Sequence, residues 1–306
     1  MEKMRECIVI GGGPAGISAG IYLARKKIGF SIITENVGGQ TLWSGDIENY
    51  VGYQYISGTE LAGKFRAHLR DFSMDLKEGE KVYRVMHDRG TFTVTSDRGE
   101  YRTKTAIICT GSRARELNIP GEKDFRNKGV TYCATCDGPL FAGKNVAVIG
   151  GGNSGLDAAL QMVRIAGKVY LVEQKQNLSA DRTLVERILR ERTCEIITNA
   201  SVEEISGDRF VRGIRIRNTV GSRAERILNV EGVLVEIGAI PNSDLVDGVE
   251  KNEAGEIVVD CSVKTSIPGL FAAGDVTNVY KKQIIIACGE GAKAAMAVSE
   301  YLNLHK

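Results

Sequence analysis

Two segments of this chain share one plan, and that duplication limits the folds open to it more than any other feature. CIVIGGGPAGISAGIYLARKK (7–27) and NVAVIGGGNSGLDAALQMVRIAG (145–167) each run from a short apolar stretch through a glycine-rich turn into a helix-like stretch. Each leads into a second apolar strand, FSIIT (30–34) and VYLVE (169–173). Strand, G-x-G-x-x-G turn, helix and strand, in that order, make a βαβ nucleotide-binding unit. The glycines of such a turn allow a tight bend, close approach of backbone to a phosphate, and close packing of helix on strand. The phosphate then meets free N–H groups and the positive end of the helix dipole. One such motif is a weak signal. Two in full βαβ context, about 140 residues apart, predict two nucleotides on one chain.

The rest of the chain fits around these units. TFTVTSD (91–97) and YRTKTAIICTG (101–111) predict a hairpin closing the first domain. EIITN, FVRGIRIRN and RILNVEGVLVEIG predict a β-rich completion of the second. GLFAAGDV (269–276) is a further strand-to-glycine turn, and GEGAKAAMAVSEYL (289–302) predicts a helix. The expected fold is α/β, with two Rossmann-like domains of three-layer ββα type. One domain, 114–242, is inserted into a discontinuous domain formed by 1–113 and 243–306.

Composition narrows the function. Glycine, at 36 of 306 residues, is about 12% against a typical ~7%, with no Gly-X-Y period, so the excess serves tight loops. Forty basic residues against thirty-eight acidic give +2, too balanced for nucleic acid or an anionic membrane as the main partner. The first ten residues lack a signal-peptide layout, and no apolar run approaches the ~18 residues that span a bilayer. The seven cysteines are scattered, with one close pair, Cys133 and Cys136. That usage fits a reducing cytoplasm rather than a secreted disulfide framework.

Candidate residues follow from the motifs. Gly11, Gly13, Pro14, Ala15 and Gly16 form the first phosphate turn, and Glu35 after the next strand can take ribose hydroxyls. Gly150, Gly152, Asn153, Ser154 and Gly155 form the second turn. Glu173 lies 23 residues beyond Gly150, near the spacing of an acid on a ribose 2′-hydroxyl. A 2′-phosphate would meet repulsion there, which favours NADH over NADPH, although Lys175 and Arg182 keep NADPH possible. Cys133-Ala-Thr-Cys136-Asp137 precedes the second unit. A C-x-x-C can be a redox disulfide or half of a zinc site. Zinc would need two more ligands, and the histidines at 68, 87 and 305 are remote in sequence, so no metal is expected.

GGGPAG, CTGSRAR and GLFAAGDV together resemble the disulfide-reductase-like flavoproteins. C-A-T-C-D-G ahead of the second glycine motif resembles the low-molecular-weight thioredoxin reductases along nearly the whole chain. VEIGAIPNSDL, GEIVVD and KKQIIIACGEGAKA are closer to the C-terminal reductase portion of the alkyl hydroperoxide reductase flavoprotein subunit. The resemblance implies FAD at the first site, with Gly39, Gln40 and Asn49 lining the flavin beside Thr110 and Gly111. It implies that Asp275, after Gly274, binds the ribityl chain, and that Gln283 and Ile284 offer backbone N–H groups to the pyrimidine end. It further implies a Cys133–Cys136 relay: Cys136 takes electrons from the flavin, Cys133 attacks a partner disulfide, and Asp137 protonates the departing thiolate. A homodimer, and rotation of the two domains about linkers near 112–118 and 239–244, are implied likewise. NADPH-using thioredoxin reductases usually carry Ala at the third glycine and a His-Arg-Arg run after the strand. This chain departs from both, with Gly155 and Glu173-Gln174-Lys175.

The expected activity is reduction of a thioredoxin- or glutaredoxin-like protein by NAD(P)H through FAD. The peroxide-reductase flavoprotein usually carries an extra N-terminal domain with its own C-x-x-C; here the FAD domain begins by residue 7, so the disulfide partner is expected to be a separate protein. An NADH oxidase, a ferredoxin-linked flavin disulfide reductase and a non-catalytic redox sensor are the alternatives.

Overall fold

Cys7-Ile8-Val9-Ile10 is apolar at four successive positions, a pattern suited to a strand buried on both faces. The computed structural model, which describes residues 4–44, 46–47, 49–221 and 223–305 and leaves out the side chains at 43, 46, 135 and 136, shows such a strand. Cys7 and Val9 join one apolar cluster with Ile17, Leu23 and Val298. Ile8 and Ile10 join a second with Val85, Phe92 and Val94. Alternate residues of Arg5–Gly12 therefore feed two core layers. Each such side chain, fully buried, contributes roughly 1.5–3 kcal/mol.

The chain divides into two units, one of residues up to Arg113 together with those from Ile240 onward, the other Ala114–Ala239. In the first, strands Asp75–Glu78, Phe30–Val37, Arg5–Gly12, Glu100–Ile108 and Leu270–Ala272 run parallel side by side. Glu100–Ile108 is long enough to serve twice. Its start pairs antiparallel with Thr91–Ser96, which pairs with Val82–Asp88, and its end joins the parallel sheet. Helices Pro14–Arg25 and Ile284–Leu304 contribute to the other cluster on the sheet, and a Cβ on Gly291 would stand 2.0 Å from Ala15 O. Helix, parallel sheet and antiparallel meander make the three layers.

The second unit repeats the design. Val130–Thr131, Gly232–Val235, Asn145–Ile149, Lys168–Val172 and Cys194–Ile197 form a parallel sheet in that order. Ala147 and Ile149 pack towards the antiparallel strands Ala200–Gly207, Val211–Asn218 and Glu225–Asn229. Val146 and Val148 pack towards helices Asn153–Met162 and Arg182–Ile188. The structure is thus two Rossmann-like domains, one interrupted in sequence by the other. Ser112–Ala114 and Ala239–Pro241, where the chain passes between units, pair as a two-stranded ribbon. Among the described residues no helix is long and apolar enough to cross a membrane.

Candidate functional site: two glycine cradles and a redox turn

Each glycine of the first turn meets a different constraint. Gly11 has φ +108°, and a Cβ there would lie 2.3 Å from Cys109 O; at Gly16 it would lie 1.9 Å from Gly11 O. At Gly13 the nearest atom is 3.9 Å away, the Cα of Gly39. Bend and packing glycines are thus closed off, and the middle one faces open space. Pro14 begins the helix, and its N-cap residue, Gly13, supplies no side-chain cap. Free helix N–H groups in front of an open backbone cradle fit a pyrophosphate.

The other residues named for this site come together around it. Gly39, at φ +55°, approaches Gly13 so closely that a Cβ would be 2.9 Å from Gly13 Cα. Gln40 Nε2 donates to Ser112 O at 2.8 Å and to Asp275 Oδ2 at 3.5 Å. Gly274, at φ +80°, faces Ala15, and its amide donates to buried Glu290 at 2.8 Å. Asn49 Nδ2 donates to the side chain of Gln283, the residue before Ile284 at the start of the last helix. Thr110 Oγ1 donates to Asn242 O at 2.6 Å, and Asn242 N donates back to Gly111 O. Burial raises the pKa of Asp275, with Lys282 opposing. Thr41, in the same turn as Gln40, is buried with no partner for its hydroxyl among the described residues, a group a ligand could satisfy. Glu35 stands apart. The strand runs on past it to Val37, and its exposed carboxylate is 3.6 Å from Lys81.

The second turn has the same geometry. A Cβ on Gly150 (φ +120°) would meet Glu236 O at 2.4 Å, one on Gly155 would meet Gly150 O at 1.8 Å, and Gly152 faces open space. The helix Asn153–Met162 again has no side-chain cap; Asn153 exchanges hydrogen bonds with Asp181, and Ser154 is exposed. Glu173 is buried, and both carboxylate oxygens already accept: Oε2 from the Gly151 amide at 2.5 Å, Oε1 from the Lys175 amide at 2.8 Å. It braces the glycine turn from the position just after the strand Lys168–Val172.

The redox motif occupies the short helix Ala134–Asp137 and the turn before it. Cys133 is disulfide-bonded and half-buried. The side chain of Cys136, its expected partner, lies outside the described residues. Thr131, which no sequence motif singled out, organises the turn. Its hydroxyl accepts from the Cys133 amide at 3.2 Å and donates to Asp137 Oδ2, while the Asp137 amide donates to Cys133 O. Cys7, Cys109, Cys194, Cys261 and Cys288 are free. Burial pushes the Cys7 thiol up to about 12 and that of Cys194 to about 11, and Cys109 rises too, so these are poor nucleophiles at neutral pH.

The family model described as pyridine nucleotide-disulphide oxidoreductase matches residues 5–292. The chain is 42% identical over 300 residues to a Bacillus subtilis (strain 168) protein named NADH dehydrogenase, covering 97% of this chain and 58% of that one. It is equally identical over 299 residues to an alkyl hydroperoxide reductase subunit of Staphylococcus aureus (strain MSSA476), covering 97% and 59%. The chain thus spans under three fifths of the length of these curated relatives. Among solved structures, thioredoxin reductase from Streptococcus pyogenes MGAS5005 superposes with a TM-score of 0.89 at 34% identity, over 99% of this chain and 100% of that one. Thioredoxin reductase from Giardia duodenalis gives 0.89 at 30% identity, with the same coverage.

Proposed function

Because the chain belongs to the pyridine nucleotide-disulphide oxidoreductase family, we propose that it passes electrons from NADH through FAD to Cys133 and Cys136, and on to a separate thioredoxin- or glutaredoxin-like protein. Membership makes the chain an oxidoreductase and implies FAD and NAD(P)H as its cofactors. The finer assignments are ours: NADH as donor, the separate protein disulfide as acceptor, a cytoplasmic homodimer as the working form.

The observation that carries the reading is the redox turn, with Cys133 disulfide-bonded and Asp137 held against it by Thr131. The residues around Gly13 would hold FAD, with Asp275 at its ribityl chain and Gln283 and Ile284 at its pyrimidine end; those around Gly152 would hold the nicotinamide dinucleotide. Bound FAD supplies the chemistry that turns a hydride donor into a two-electron reductant for a disulfide. The protein's own part is positioning and proton handling. Asp137 supplies a proton to the sulfur released when the disulfide opens, and Thr131 keeps its carboxyl aimed at the turn. The Cys133 thiolate then attacks the partner's disulfide, forming a mixed disulfide that Cys136 resolves. Glu173 favours NADH, because its ionised carboxylate accepts from a ribose hydroxyl and repels a 2′-phosphate.

The name of the Bacillus subtilis relative supports a second reading, in which electrons leave the flavin for an acceptor other than a disulfide. Following NADH oxidation with a panel of thioredoxins, in wild type and Cys136→Ser, separates the two. The relay requires thioredoxin reduction that is lost in the variant. NADH consumption that survives Cys136→Ser undiminished would favour the other acceptor.

A further inference from the structure

At the end of the fully buried strand Gly232–Val235 the chain places a glutamate. Three contacts hold Glu236 in position. Its amide donates to Ile149 O at 2.8 Å. Its carbonyl oxygen stands where only a glycine at 150 leaves room. Its side-chain Oε1 accepts from the Ala134 amide at 3.4 Å. Ala134 is the first residue of the redox helix and follows Cys133 directly. The carboxylate is thus held against the backbone of the residue beside the cysteine. Ionised, it carries a charge of the same sign as a Cys133 thiolate. The Ala134 bond is the only side-chain hydrogen bond of Glu236 among the described residues. Burial outweighs it and pushes the carboxyl up to about 7.

We propose that Glu236 is a positioning residue that acts on Cys133 through its charge: ionised and held against the Ala134 amide, it disfavours the Cys133 thiolate; protonated, it relaxes that effect. The inference rests on the reading of Cys133 as the nucleophile towards the partner protein. Other titratable groups around the turn are Asp137 on the redox helix, Tyr132 with buried Glu122 on the segment leading into it, and Glu173 behind Gly151. Gly150–Gly155 carries no titratable side chain. In the reduced enzyme Glu236 and Cys133 therefore titrate as a coupled pair. The partner-facing sulfur is held back as a thiol at alkaline pH and released as a thiolate more readily when Glu236 is neutral.

The test uses the purified flavoprotein, reduced with tris(2-carboxyethyl)phosphine. The phosphine becomes its oxide while the disulfide takes up two electrons and two protons. Cys133 then loses its S–H proton to solvent, and the thiolate displaces iodide from iodoacetamide. Peptide-level mass spectrometry follows labelling of Cys133 across pH 5.5–9.5, with exposed Cys261 as reagent control. Glu236→Gln keeps an acceptor for Ala134 and removes the charge. Its Cys133 curve should move to lower pH, with labelling at pH 7 faster by roughly three- to tenfold, where a full pKa unit is about tenfold. Glu236→Ala should shift the same way, and Cys261 should not move in either. Superimposable Cys133 curves in wild type and Glu236→Gln would overturn the proposal. So would a shift confined to Glu236→Ala, which would mark the contact as packing alone. Failure of the underlying relay would look different: NADH would leave Cys133 unlabelled where the phosphine exposes it.

Discussion

Ionising Glu236 costs the folded chain something it does not cost the unfolded one, and this fixes a pH dependence of stability. Burial lifts its carboxyl from 4.5 to about 7. Below the lower value both states are protonated. Between the two, only the unfolded chain releases its proton, so stability falls as pH rises; above about 7 the penalty is complete. At about 1.4 kcal/mol per tenfold shift, it approaches ~3 kcal/mol. Glu236→Gln should therefore raise the melting temperature at pH 8 and change it little at pH 5; an equal gain at both would contradict the assignment. Thr131 makes a kinetic prediction. Thr131→Val removes the hydroxyl that links the Cys133 amide to Asp137. Disulfide turnover should fall on the order of tenfold, part of the ~10²–10⁴ that general acid–base catalysis supplies. The KM for NADH should stay near wild type, and a rise in KM alone would place Thr131 elsewhere in the mechanism. At Glu173 the spacing from Gly150 reaches the end of the unit's second strand. What spacing could not report is that both its oxygens already hold backbone amides. Glu173→Ala should consequently loosen the glycine turn while weakening NADH more than NADPH; an unchanged ratio of efficiencies with the two would remove it from cofactor choice. Thr131, Glu236 and Glu290 were not legible in the sequence because each acts through a backbone amide distant in sequence or inside a turn. The one visible sign at Glu236 was an acid ending an apolar strand.

At the scale of elements, the strand–glycine–helix units were legible because their determinants are local. Bend glycine, packing glycine and strand lie within about ten residues, and each glycine carries its own steric reason. Gly155 illustrates how narrow that reason is. A Cβ there would stand 1.8 Å from Gly150 O, so Gly155→Ala must push the helix Asn153–Met162 away from the turn. NADH affinity should drop several-fold with little change in flavin content; an unchanged KM would show that the turn relaxes freely. Sheet membership was harder to read. EIITN read only as a β-rich segment completing its domain; Cys194–Ile197 forms the edge of the parallel sheet beside Lys168–Val172. The pattern of a short half-buried strand does not say which neighbour it pairs with, since long-range pairing decides that. Glu35 was expected after its strand and lies within it, because the parallel pairing of Arg5–Gly12 continues to a Gly12–Val37 match.

At the scale of the whole molecule, the chain contains two separately cored units, each with apolar clusters on both faces of its parallel sheet. The discontinuity was readable because a strand-to-glycine turn and an Ala-rich helix reappear after the second βαβ unit. The partner protein was not, since a disulfide substrate is recognised by a surface that no short motif encodes. The glycine cradles, the bonded Cys133 and the family together make electron flow into the cysteine pair the central claim. Its most direct test is an anaerobic addition of NADH to the purified flavoprotein, followed by alkylation and peptide mass spectrometry. Cys133 and Cys136, unlabelled beforehand, should become labelled as NADH is consumed, with buried Cys7 and Cys109 unchanged. Flavin reduced by NADH while Cys133 stays unlabelled would contradict that flow.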